Sequence, residues 1–392
     1  MRASVGIGFL AAATLLAQEA PLTRDGRYWV QTVEGSLAAP GLTRLRVGSV
    51  GSISVRGESG DQVRYTARRR VRANSEAEAR RLLSRGQVKT VRRGPVVSLE
   101  IEPIECGRCS FSAEFRIIAP QSADAVVLES HGGSLEVLDI AGRVGAETAG
   151  GSITLDRIGK AVQAATAGGS IHLGTVGGPV TAETAGGSIT LGTVRGDATL
   201  TTSGGNIDAD QVDGMLRAET AGGSIRARRV SQSVRAETAG GSIYLGQIGG
   251  SVTAETAGGS ITIESASGGV RAENANGSIK LVDVSGPVRA ATAAGNILAQ
   301  LMASGPVADS LLETSMGNIT VLIPDSLRLT IRADVEVASS VNRIQCDFPG
   351  VQVRMEDSGP GPRALVAEGR INGGGPVLRI RNTTGTIQIK KR

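Results

Sequence analysis

The chain has 392 residues and a formal net charge of +5, with 55 Gly but only 2% aromatic residues. A thick globular core draws on Phe, Tyr and Trp for buried area. Four Phe, three Tyr and one Trp cannot supply one over this length, so the core must be thin and built from Ile, Leu, Val and Ala; collagen is excluded because Gly does not recur at every third residue.

Residues 1–20 read as an export signal. Met1 and Arg2 make a short basic start, and residues 5–16 form an apolar run too short to span a bilayer. Ala17 and Ala20 are the candidate cleavage sites, and no Cys stands at that junction to carry a lipid. No later segment is apolar for 18 residues. The chain is therefore expected to be exported and not transmembrane; periplasm and cell surface are both open.

Residues 42–128 are expected to form a β-rich N-terminal cap, with strands at 52–55, 62–73, 96–101 and 112–118. One short helix interrupts them. Asn74 or Ser75 can cap it, Ala79, Leu82 and Leu83 form its apolar stripe, and Gly86 ends it. Between Arg64 and Arg93 stand eleven Lys and Arg, opposed within that window only by Glu76 and Glu78. Such a run is most often a solvated face. The sharper reading is that Arg68, Arg69, Arg70 and Arg72 touch an anionic surface. Nucleic acid is not the expected partner, because the chain reads as exported and lacks interleaved aromatics for base stacking.

Cys106-Gly107-Arg108-Cys109 is a C-x-x-C placed between strands, whereas a thioredoxin-type site opens a helix. One Cys pair is too few for a closed zinc site. In an oxidising compartment Cys106 and Cys109 are a candidate loop disulfide, which leaves Cys346 over.

From residue 129 the sequence repeats. A Gly-Ser-Ile phrase or a close variant centres on Ser134, Ser152, Ser170, Ser188, Asn206, Ser224, Ser242, Ser260, Ser278 and Asn296, and every interval is 18. Helix-pair repeats are longer than this. Each 18 divides into two nines, as in 180–188 and 189–197. Apolar or small residues take the first, third and sixth places: Val180, Ala182 and Ala185, then Ile189, Leu191 and Val194. The alternation is that of a strand and the following Gly pair that of a turn. One such coil cannot bury its own apolar stripe, so residues 129–300 are predicted to stack as a parallel β-solenoid of 18-residue coils, with strands about 4.8 Å apart. Ile153, Leu155, Ile158, Val162 and Ala164 should point inward, and Glu147 and Thr154 outward.

Two outward columns stand out. Glu147, Glu183, Glu219, Glu237, Glu255 and Glu273 share one position, with Arg217, Arg235, Arg271 and Arg289 two residues earlier in their own coils. A mixed-charge ladder is the expected result. The facing strand displays a varied column that includes Arg226, Tyr244 and Thr262, the candidate recognition face. After Asn296 the next marker, Asn318, comes 22 residues later. Residues 301–392 read as irregular C-terminal coils and a cap, ending in Gly385-Thr386-Ile387-Gln388-Ile389.

The chain holds only two His, His131 and His172. No nucleophile–base order, metal-ligand set or nucleotide loop is present, so no catalytic, metal or cofactor residue is assigned.

The strand 113–120 ending in Ile117-Ile118-Ala119-Pro120, the glycine-marked array after it, and the stretch Glu368-Gly369-Arg370-Ile371-Asn372-Gly373-Gly374-Gly375 before the closing Gly-Thr-Ile resemble a bacterial family known as the putative adhesins. These are domains of unknown function with β-solenoid folds, and the resemblance covers residues 42–392. It implies an all-β solenoid and carries no catalytic residues. The chain is accordingly expected to be an exported, non-enzymatic, adhesin-like binding module. Its expected partner is an anionic envelope polymer or a surface protein. The alternatives are a structural or envelope-stress accessory, whose basic cap makes the contact, and a carbohydrate-active solenoid enzyme. The scarcity of aromatics counts against the last.

Overall fold

The computed structural model describes residues 16–104, 110–302, 308–337, 342–356 and 363–392. It is a parallel β-solenoid of 18-residue coils, 63% strand and 2% helix, which makes the all-β class plain. The chain divides into two compact units, residues 1–160 and 161–392.

In the first unit, Ala125–Ser130 pairs in parallel with Arg143–Thr148, and Leu135–Ile140 with Ile153–Ile158, each residue facing one 18 later. The coil on the other side is not the next in sequence. Arg44–Ser49 and Ile53–Glu58 stack on 125–130 and 135–138, and their far edges pair with Val96–Glu100 and Phe111–Pro120. Pairing then changes sense. Gln62–Arg72 runs antiparallel to both Phe111–Pro120 and Tyr28–Ala38. Leu16–Glu19 and Thr23–Asp25 add to Tyr28–Ala38, and Lys89–Arg93 adds to Val96–Glu100. These antiparallel additions cover the edge that a parallel stack leaves open.

Strand Tyr28–Ala38 was not foreseen. Its burial repeats every third or fourth residue, at Val30, Val33 and Leu37, instead of every second, so it shows no strand periodicity. Ser75 is the helix cap. Its Oγ accepts the Glu78 N–H at 3.2 Å, and Glu78 Oε2 reaches back past the cap to accept the Asn74 N–H at 2.9 Å, a near relative of the capping box. Ala79, Leu82 and Leu83 of Glu76–Leu83 pack with Val71 against Trp29, Ile104 and Phe111.

In the second unit two ladders run with an 18-residue offset. One is seen in Val180–Thr184 against Ala198–Thr202, the other in Ile189–Val194 against Ile207–Val212. Ile153, Leu155 and Ile158 of the first unit and Val162 and Ala164 of the second are buried as expected, and Glu147 and Thr154 of the first are exposed. In strands such as Val180–Thr184 the alternation continues through the fifth residue, so Thr184 is buried and Ala185 is exposed. Burying Thr184 is tolerated because its Oγ1 donates to the Gly169 carbonyl at 2.8 Å and accepts the Gly187 N–H at 3.2 Å. Thr202, Thr220, Thr238, Thr256 and Thr292 repeat the bond 15 residues back. In the facing strands the sixth residue does turn inward, because pairing skips Gly174 opposite Gly192 and resumes at Thr175.

The marker residues form their own ladder. Ser170 Oγ accepts the Ser188 N–H at 3.2 Å, and Asn206 Oδ1 accepts the Ser224 N–H at 2.8 Å. Before the marker the backbones approach closely, and a Cβ on Gly187 would lie 2.0 Å from the Gly169 oxygen.

Past Asn296 the offset becomes 22, pairing Ile297 with Ile319 and Arg289 with Leu311. The C-terminal segment does not end the stack. Val377–Thr384 lies between Ser310–Met316 and Leu329–Val335, and Ile387–Lys391 between Ile319–Ile323 and Ile344–Cys346. Ala364–Ile371 pairs antiparallel with Leu329–Val335, and Val351–Glu356 antiparallel with Ala364–Ile371.

Candidate functional site

The parallel register brings residues 18 apart into adjacent outward positions. On one face of the second unit this gives the column Asp208, Arg226, Tyr244, Thr262 and Lys280. The Arg226 guanidinium lies 5.3 Å from the centre of the Tyr244 ring, within cation–π range. The Glu264 carboxylate, which holds a hydrogen bond with the Tyr244 hydroxyl, raises the pKa of that hydroxyl. Two residues along the strand from Tyr244 stands Gly246, which has no side chain to crowd the ring. Arg228 pairs with Asp210 at 3.2 Å. The sequence-predicted trio of Arg226, Tyr244 and Thr262 is thus contiguous. Arg228, Asp210 and Glu264, two residues farther along each strand, belong to the same face.

The opposite face carries the charge ladder. Arg217 pairs with Glu219 and Arg235 with Glu237 on their own strands, and Arg271 pairs with Glu273 at 2.8 Å. Arg271 also lies 3.8 Å from Glu255, and Arg289 lies 3.6 Å from Glu273.

The four arginines of the first unit separate. Arg68 and Arg72 are exposed and Arg70 is half-buried on one face of Gln62–Arg72. Arg69 points to the other face and is 2% exposed, so it is withdrawn from any surface contact. It donates to the Leu83 and Gly86 carbonyls at 3.2 Å each, to Gln31 Oε1 at 2.6 Å and to Glu19 at 3.2 Å. Burial pulls its pKa down and Glu19 opposes that. Arg68 pairs with Asp25 at 3.5 Å, and Arg70 stacks 3.6 Å over the Tyr28 ring. Arg64 and Lys89 are also paired, with Glu58 and Glu102. The basic run looks unbalanced in sequence because Glu19, Asp25, Glu58 and Glu102 lie outside its window.

The candidate disulfide Cys106–Cys109 lies outside the described residues. Cys346 is free and half-buried, and burial pushes its thiol pKa up. Among the described residues, no three His, Cys, Asp or Glu side chains are grouped to hold a metal ion, and no helix is long and apolar enough to cross a membrane.

No protein-family model matches the chain, and no curated protein matches it in sequence. Three solved structures are similar to it. A putative adhesin from Bacteroides fragilis is 14% identical with a TM-score of 0.27, covering 74% of this chain and 96% of its own. A putative cell adhesion protein from Clostridium sporogenes is 10% identical with a TM-score of 0.16, covering 97% and 100%. A putative lipid binding protein from Parabacteroides distasonis is 10% identical with a TM-score of 0.21, covering 92% and 97%.

Proposed function

We propose that the chain is an exported, non-catalytic binding module of adhesin type, whose contact area is the outward face around Arg226, Tyr244 and Thr262. The observation that carries this reading is the contrast between columns. The inward positions repeat Ile, Leu, Val and Ala from coil to coil, as stacking demands. This outward column varies at every step and joins an aromatic ring, a cation, a hydroxyl and an acid on adjacent strands. Tyr and Arg are the side chains most often found to anchor binding surfaces.

Export belongs to the same reading. Processing after Ala17 leaves Glu19 in place to neutralise buried Arg69, whereas processing after Ala20 removes that partner. The mature chain then begins at Gln18, and Edman sequencing of secreted protein checks it; a start at Pro21 contradicts the choice of Ala17.

The deciding experiment is retention of the mature protein on envelope fractions at low and high salt. Substituting Arg226, Tyr244 and Thr262 together by Ala should abolish retention without changing the circular dichroism spectrum. Retention lost instead when Arg68, Arg70 and Arg72 are neutralised, with strong salt sensitivity, would overturn the reading in favour of the envelope accessory. Undiminished retention of the triple variant would also overturn it.

A further inference from the structure

The charge ladder on the second face neutralises itself by a simple rule: an Arg is followed two residues later on the same strand by a Glu, as in Arg217–Glu219, Arg235–Glu237 and Arg271–Glu273. Where the period breaks, the rule breaks. Arg289 is followed by Ala291, and Leu311 takes the Arg position on the next strand. On the strand beyond it, Arg379 is followed by Arg381. Among the described residues Arg379 and Arg381 make no ion pair. The break coincides with a groove of about 530 Å³ lined by Arg271, Arg289, Arg379, Arg381, Leu311 and Asp309.

We propose that this groove binds an anionic amphiphile, a carboxylate or phosphate head on a saturated hydrocarbon body. Arg379 and Arg381 stand on the same side of one strand, roughly 7 Å apart along it, a spacing that lets two guanidiniums close on one head group. Leu311 sits between Arg289 and Arg379 in the outward column, and Pro287 and Val377 continue the apolar lining. Among the described residues no aromatic ring lines the groove, which suits a hydrocarbon better than a sugar. The one carboxylate among the described lining residues is already engaged, with Asp309 Oδ1 accepting the Val377 N–H at 2.8 Å. Glu313 and Asp334 flank Arg381 on the adjacent strands, and burial pushes the Asp334 carboxyl up while Arg381 opposes that. The site lies on the opposite sheet from Tyr244 and stands independently of the adhesin-type reading.

Calorimetric titration of the full mature chain tests it, with dodecanoate and dodecyl phosphate as probes below their micelle concentrations. Inorganic phosphate and dodecyl maltoside serve as head-only and neutral controls. Binding of an anionic probe is expected at one site per chain, with the better probe identifying the head. Substituting both Arg379 and Arg381 by Gln should weaken it by roughly a hundredfold or more, through the loss of two charge-assisted bonds. The matched pair Arg217→Gln and Arg235→Gln should leave binding unchanged, as should Tyr244→Ala. The four arginine side chains substituted here are exposed, so thermal unfolding of both double variants should match the unmodified protein. Equal affinity for dodecyl maltoside, equal affinity for inorganic phosphate, undiminished binding by the Arg379/Arg381 variant, or no binding of either anionic probe would each overturn the proposal.

Discussion

Arg157 and Asp139 hold the same left-handed backbone conformation, φ 53° and 63°, at equivalent positions of successive coils. Arg157 donates through Nε and a terminal nitrogen to the two Asp139 oxygens, the second at 3.0 Å. Asp283 repeats the conformation in the second unit, φ 49°, and pairs with Arg392 at 2.8 Å. The left-handed residue is the kink that brings Ile140, Ile158 and Val284 inward.

Arg157 carries two opposed effects. A left-handed backbone is strained for any L-residue but glycine, while the exposed pair with Asp139 offsets part of that strain. Arg157→Ala keeps the strain and loses the pair, so it should destabilise measurably. Arg157→Gly loses both and should be close to neutral. Urea unfolding distinguishes them, and equal losses for the two variants would show that the backbone is not strained there.

The same pair sets a pH dependence. The Arg157 guanidinium beside Asp139 holds its carboxyl below the ordinary carboxylate value. A depressed folded-state value means that the stabilisation is complete above about pH 4, the unfolded carboxylate range, and is lost as pH falls through the folded value. Carboxyl-detected NMR titration should show Asp139 titrating late, and Arg157→Ala should return it toward the ordinary value. An unshifted Asp139 in the intact protein would contradict the pairing.

Neighbouring corner glycines should respond oppositely to the same change. A Cβ on Gly187 would lie 2.0 Å from a carbonyl oxygen of the preceding coil, whereas one on Gly186 meets nothing closer than 3.5 Å. Gly187→Ala should cost about 3 kcal/mol through overpacking against rigid backbone. Gly186→Ala should be neutral or stabilising by about 0.5 kcal/mol through the unfolded chain. The difference between the two midpoints of denaturation is the measurement.

Buried Thr220 donates to the Gly205 carbonyl at 2.9 Å and accepts the Gly223 N–H at 3.2 Å. Thr220→Val keeps the shape but leaves both backbone groups unpaired, at a cost of about 1–3 kcal/mol. Thr220→Ser keeps both bonds and loses one methyl, about 1 kcal/mol. A valine variant more stable than the serine variant would mean that the hydroxyl column is dispensable.

Arg69 fastens the helix Glu76–Leu83 to its sheet through two carbonyls at the helix C-terminal side. Arg69→Ala strands those carbonyls and Glu19, and should cost about 3 kcal/mol. The loss should appear first as faster amide exchange at Ala79, Leu82 and Leu83. Unaltered exchange at these three amides would show that apolar packing against Trp29 and Phe111 suffices.

The parallel ladder, its 18-residue offset and the inward Ile, Leu and Val positions were legible in the sequence because a strand stacked on its own equivalent must meet the same residue types at a constant interval. A change of interval would turn side chains to the wrong face, so the constraint is written into the local pattern. The contiguity of Arg226, Tyr244 and Thr262 follows from that same offset. The buried threonine column was not legible, because the place of a hydroxyl depends on its acceptor, and the acceptor, a glycine carbonyl of the preceding coil, comes from the stacking itself.

The ends of the stack were decided by tertiary structure alone. Residues 44–58 pair between 96–120 and 125–138, and residues 377–391 enter between two earlier segments. These pairings join strands separated by tens of residues with no repeat to announce them. Free and neutralised arginines are divided in the same way. Arg69 and Arg72 are indistinguishable in the basic run, yet one is buried against Glu19 and the other faces solvent. Charge balance depends on which distant carboxylates the fold brings within a few ångströms, and the order of residues along the chain does not record that distance.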